Sequence, residues 1–349
     1  MIDFSDAAIQ SISVHHVGVN TDDIGVKYSN RSIDVHNNEL HELLLRYFLA
    51  SFKTPEFFNF SMPGEDLANN AIGHIATEIF DDPNNVHKHS KRIADHLYAN
   101  SMHPKIKSGD VMVVYFDDIL VEDELVSAIG IYKNEDTEPF LKLIKEQDDY
   151  KFIHDKGISV DRLQKGCLIL NSEREDGFNV LALDKNKPNG EANYWKKDFL
   201  QLRNRIDSYH MTKDTIEATR MFVDHQLKVE AEVDKISEAD ILNKAKDYFG
   251  SLEKFNQVEY ANNLFDDDQT RQDFQKYKRE YEEHRHVELP DQFDISQPAV
   301  RSNSKIFKSV IKLDKNFHIY IHGDRSRISR ELDTTNGRRY YKIYYDVEA

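Results

Sequence analysis

A chain of 349 residues with a formal net charge of −16, 31% charged residues and a mean hydropathy of −0.67 is too long for one small core. It is also too acidic, at a pI near 5.5, to wrap nucleic acid as a histone does. The 20 Phe and 17 Tyr supply enough large side chains to exclude wholesale disorder, and the lone Cys167 excludes an internal disulfide and fits a cytosolic compartment.

No run approaches the ~20 apolar residues of a membrane span; the best is VMVVYF at 111–116. The first residues, MIDFSDAAIQ, carry acids where a signal peptide needs a basic region. A soluble intracellular protein with no membrane partner is expected.

In chain order, IQSISVHHVGV alternates as a strand, with a second strand at 24–28. Asn37 or Asn38 caps a helix through Phe52, apolar on most faces and therefore expected to be buried. Two further helices are predicted near 65–80 and 85–100, the second stopped before Pro104. From Gly109 the period changes: DVMVVYF and LVSAIGIYK read as a hairpin or two neighbouring strands, and KFIHDKG, GCLILNS and FNVLALD continue the β pattern. The Pro, Gly and polar cluster at 185–193 marks the expected boundary between residues 1–190 and 191–349.

Beyond it the chain reads as helical. Thr212 opens a helix to about Lys228, and Ser237-Glu-Ala-Asp240 starts another that ends at Gly250. Asp266, Asp267 and Asp268 suit the positive end of a third, whose Phe274, Tyr277 and Tyr281 form one stripe. Residues 230–294 hold 18 acids against nine Lys/Arg.

The last stretch, from Ser304, reverses the charge: ten Lys/Arg against six acids. Three strands are predicted there, SKIFKSVIKLD, NFHIYIHG and RRYYKIYYD, joined by charged turns. Alternation sets Phe317, Ile319 and Ile321 against His318, Tyr320 and His322, and Arg338, Tyr340, Lys342 and Tyr344 against Arg339, Tyr341, Ile343 and Tyr345. One face can pack on a core while the other shows cations and rings, the chemistry by which proteins hold phosphates and stack on bases. A solvated antiparallel sheet with ordinary polar outward residues accounts for the same pattern. The expected fold class is α+β: an N-terminal mixed sheet with helices, a helical segment, and a C-terminal antiparallel sheet.

Other constellations read more plainly. In the basic segment 185–213, Trp195, Phe199 and Leu202 recur at helical spacing, which makes the tryptophan a packing anchor. His87, His89 and His96 share a helix face only loosely, so no metal or cofactor is expected. A nucleic-acid hydrolase built on His318, His322 and Asp324 lacks an accompanying carboxylate cluster or nucleophile motif. P-loop, GxGxxG, GxSxG and CxxC patterns are absent, so no enzyme is expected.

Taken in order, IQSISVHHVGV, GDVMVVYF, ELVSAIGIYKNED, GISVDRLQKGCLILN, YWKKDFLQL and FKSVIKLDKNFHIYIHG resemble the bacterial nucleoid-associated proteins of the NdpA-like (YejK-like) family, over most of the chain. The resemblance implies a cytoplasmic protein found with the nucleoid, able to bind DNA, with no catalytic residues to carry over. Charge and alternation then assign phosphate contact to Lys308, Lys312, Arg325, Arg327, Arg330, Arg338, Arg339 and Lys342, and stacking or sugar contact to Tyr320 and Tyr340. The expected partner is double-stranded DNA, bound with weak sequence preference. Protein partners at the nucleoid and a homodimer stay open, and the alternative is an acidic scaffold recruited there by a partner.

Overall fold

The computed structural model describes residues 2–19, 24–35, 37–52, 56–102, 106–147, 149–185, 194–227, 235–285, 287–307, 310–314, 316–320 and 327–347. It divides into two units, Met1–Arg205 and Ile206–Ala349. The first contains strands β1 (Ile2–Asp3), β2 (Ala8–Val17), β3 (Val26–Tyr28), β4 (Phe57–Phe60), β5 (Gly109–Val121), β6 (Glu124–Asn134), β7 (Glu138–Glu146), β8 (Asp149–Gly157), β9 (Lys165–Leu170), β10 (Asn179–Asp184) and β11 (Leu202–Asn204). Helices α1 (Asn38–Leu49), α2 (Ala71–Asp81) and α3 (Val86–Ala99) lie between them in sequence.

Nine strands form one sheet in the order β11-β4-β10-β9-β6-β5-β2-β3, with β1 on the end of β5. Its pairings are antiparallel throughout rather than mixed. The apolar run at 111–116 is continuous because both faces of β5 are covered. Val111, Val113 and Tyr115 pack with Ile72, Ile79, Ile93 and Leu97 of α2 and α3, while Met112, Val114 and Phe116 pack with Tyr47, Phe48 and Leu49 of α1. Gly130 is part of that second layer: a Cβ there would lie 2.4 Å from the Tyr132 ring, which stacks on Phe48 at 4.5 Å.

Helix α1 is capped by Asn37, whose side chain accepts from the Leu40 amide. Only its last turn is buried, however; Leu40 and Leu43 are exposed, contrary to the expectation of a helix covered all round. The expected unit boundary near 190 differs from the division at 205/206. Trp195 is fully buried in the first unit's core, and β11 pairs with β4, so this segment belongs to the first unit. The predicted helix around Trp195 is a short π-helical turn, Tyr194–Phe199, that gives way to β11.

The second unit contains α4 (Ser208–Met221), α5 (Lys235–Ser251), β12 (Lys254–Asn256), α6 (Gln257–Leu264), α7 (Asp268–Arg285), β13 (Gln292–Asp294) and α8 (Gln297–Ser302). Helix α4 begins ahead of the expected Thr212 because Asp207, in extended conformation, accepts from the His210 amide. An aromatic core holds these elements together: Phe222, Phe249, Phe255, Tyr260, Phe265, Phe274, Phe293 and Phe307 pack in one cluster. The α7 stripe behaves as expected, with Phe274 and Tyr281 buried.

The C-terminal stretch differs from the predicted three-stranded sheet. Among the described residues it forms two separate two-stranded hairpins, β14 (Val310–Leu313) with β15 (Phe317–Tyr320), and β16 (Ile328–Asp333) with β17 (Arg338–Ile343). Strand β16, ISRELD, went unpredicted because its mixed charges read as a charged turn. The α+β class holds for the whole.

Candidate nucleic-acid interface

The β16–β17 turn is written into the sequence DTTNG. Asp333 Oδ1 accepts from the Thr335 amide at 2.9 Å, Asn336 Nδ2 donates to Asp333 Oδ2 at 2.6 Å, and the Arg338 amide donates to Asn336 Oδ1 at 2.8 Å. Gly337 closes the turn at φ +69°, where a side chain would be strained. These bonds hold the Asp333 carboxyl below its usual pKa, Thr335 contributing most.

This turn sets the register, and the register decides which charges meet. Ser329 pairs with Lys342, Glu331 with Tyr340 and Asp333 with Arg338, so the predicted cation face of β17 confronts two carboxylates across the ladder. Tyr340 Oη donates to Glu331 Oε2, which depresses the carboxyl pKa and raises that of the phenol. Lys342 Nζ lies 5.0 Å from the centre of the Tyr344 ring, and its pKa is raised by hydrogen bonding to Tyr344. Arg330 and Arg339 stand on the other face with Ile328, Leu332, Tyr341 and Ile343, where no acid sits. Ile328 and Tyr341 anchor that face on Ile236, Ile311, Leu313 and Ile319.

The predicted contact set is therefore split. Arg338, Tyr340 and Lys342 come together on one face, and Arg330 with Arg339 on the opposite one. All five are exposed. Arg327 pairs with Asp346 at 2.6 Å, which neutralises its charge. Tyr320 lies on the separate β15, also exposed. Lys308 and Arg325 lie outside the described residues, as does the side chain of Lys312, whose backbone pairs with His318 in β14–β15. Of the hydrolase triad only His318 is described, on exposed β15.

Several cations of the first unit are spent on local partners. Arg46 pairs with Asp161, Arg92 with Glu78, Lys107 with Asp136, Arg162 with Glu138, Arg174 with Asp81 and Arg205 with Glu173. In the basic segment, Lys196 lies over the Phe58 ring at 4.1 Å and Trp195 Nε1 donates to Gly166 O at 3.2 Å. The tryptophan packs as its spacing suggested. The histidines of α3 part ways: His87 meets Ser13, His89 meets Arg92, and His96 meets Phe199 O. Among the described residues no three His, Cys, Asp or Glu gather as metal ligands would.

Sequence reasoning missed β7 and with it a second exposed hairpin. Strands β7 and β8 pair only with each other, from Glu138↔Gly157 to Glu146↔Asp149. The period-two alternation of LKLIK and YKFIHD was the available signal. Register places Leu141, Leu143, Lys145, Tyr150, Phe152, His154 and Lys156 on one face. Glu138, Glu146, Asp149 and Asp155, the hairpin's described acids, all fall on the other.

A family model described as nucleoid-associated protein YejK matches residues 13–348, which spans both units and both exposed hairpins. No curated protein matches the chain. Among the described residues no helix is long and apolar enough to cross a membrane. With the family model covering almost the whole sequence, the chain belongs to the family of nucleoid-associated protein YejK.

Proposed function

We propose that this nucleoid-associated protein binds double-stranded DNA directly, without catalysis and with weak sequence preference, through the cations of the β16–β17 hairpin. One observation carries the reading. Arg330, Arg338, Arg339 and Lys342 are exposed together on one short two-stranded ribbon, and among the described residues none of them makes an ion pair. Guanidinium and ammonium groups without a carboxylate partner, on a short ribbon, meet phosphate oxygens readily. Such contacts hold a duplex without reading its bases. The acidic remainder of the chain repels DNA, which favours this hairpin as the contacting edge.

Affinity for a labelled duplex tests this by its salt dependence. Four neutralised phosphates give a slope of about −3.6 in log K against log salt, so raising salt from 50 to 200 mM costs about 10²-fold. Replacing Arg330, Arg338, Arg339 and Lys342 together by alanine is expected to remove that dependence. Absence of any mobility shift at low salt in the unaltered protein ends the direct-binding reading. A second reading, recruitment by a protein partner, is favoured by Glu331 and Asp333, which stand across the ladder from the β17 cations and weaken their field.

A further inference from the structure

We infer that the unpredicted β7–β8 hairpin is a second nucleic-acid surface, and that its ligand is an unpaired strand. The hairpin sorts its charges by face. Lys145, His154 and Lys156 share one face with Leu141, Leu143, Tyr150 and Phe152, and no carboxylate stands among them. All seven are exposed, Tyr150 at 67% and Phe152 at 70%, and neither lysine makes an ion pair among the described residues. On the opposite face two of the four acids are paired: Glu138 with Arg162, and Glu146 at 4.0 Å from Lys151.

Apolar area and positive charge together select the occupant. A second copy of this chain meeting the face symmetrically would set lysine against lysine with no acid to intervene. A duplex offers phosphates but hides its base faces, leaving two aromatic rings and two leucines without apolar partners. A single strand offers both phosphates and bare bases.

Spacing agrees. Tyr150 and Phe152 are two residues apart on one strand, ~6.7 Å along it, about twice the ~3.4 Å rise of stacked bases. Each ring can receive its own base only if neighbouring bases have come apart. Lys145 stands directly across from Tyr150, and Lys156 further along the same face, placed for the flanking phosphates.

This inference rests on the nucleic-acid reading of the family but fails separately from the β16–β17 assignment. The test uses the full chain with a labelled oligothymidylate of about 16 nucleotides, and the same oligonucleotide annealed to its complement. Tyr150→Ala or Phe152→Ala is expected to weaken single-strand binding ~5- to 100-fold, with duplex affinity unchanged and the thermal midpoint lowered by no more than a few degrees. Lys145→Ala with Lys156→Ala is expected to lower the single-strand salt slope by about 1.4. Single-strand binding that is absent in the unaltered protein, or indifferent to both aromatic changes, overturns the inference whatever the duplex does. So does a Phe152→Ala change that alters the oligomeric state by light scattering and leaves single-strand affinity intact, since the face is then a contact between copies.

Discussion

Two exposed hairpins, β7–β8 and β16–β17, are built from the same materials and arrange them differently. Each is a two-stranded ribbon carrying lysine or arginine, aromatic rings and acids in alternation. In β7–β8 the register gathers the carboxylates on one face and leaves the other basic and apolar. In β16–β17 the register sets Asp333 across from Arg338 and Glu331 beside it, so one face is mixed and only Arg330 and Arg339 stand clear of acids. The hairpins also differ in support. Ile328 and Tyr341 root β16–β17 in a small apolar cluster, whereas among the described residues none of β7–β8 belongs to an apolar cluster. Similar composition thus yields a rooted ribbon with a partly cancelled field and an unrooted one with a segregated face.

The support is the easiest part of this contrast to break. Ile328 is 9% exposed, so Ile328→Ala is expected to cost about 2–4 kcal/mol and to release amide protection along β16 and β17 in hydrogen exchange. Phe152→Ala in the other hairpin should cost under about 1 kcal/mol, since it loses only cross-strand contact. Equal effects would mean that the two ribbons are held alike.

Acid should separate the units that carry the hairpins. Burial pushes His15 of the first unit down to about 4 from its usual 6.5, and shifts His89 and His96 the same way. The unfolded chain then takes up protons that the folded unit refuses, so stability is lost as pH falls from 6.5 toward 4. Asp214 of the second unit is pushed up to about 6 by burial, from 3.8. Its contribution is fully present below 3.8 and is lost as pH rises through 6. Moving from pH 7 to 4.5 is expected to weaken protection in residues 1–205 and strengthen it in 206–349, each by of order 2 kcal/mol. A uniform change across both would contradict the assignment.

The smallest effect sharpens the electrostatic half of the comparison. Glu331→Gln keeps the shape of the side chain and its acceptor for Tyr340 while removing one negative charge from the mixed face. Duplex affinity is expected to rise about two- to five-fold at low salt, with the gain vanishing as salt is raised. No gain would show that Arg338 and Lys342 do not face the DNA.

Much of the framework was legible along the chain. The strand at 111–116 follows from its apolar run, the cap at Asn37 follows from side-chain chemistry, and the Phe274–Tyr281 stripe follows from helical spacing. The candidate site was legible only in part. Arg338, Tyr340 and Lys342 do share a face, as alternation requires. Their acidic neighbours come from β16, whose strand character was hidden by its charges. Leu40 and Leu43 were misjudged because apolar residues on every side of a helix do not reveal how much of it a core reaches. The sequence by itself determined the family, the acidic body, the basic end and which side chains share a face within each strand. Only the tertiary structure decided which strands pair and in what register, because register depends on turn geometry and on contacts between residues distant in sequence. A one-residue change of register would exchange the faces and alter every charge pairing on these two hairpins.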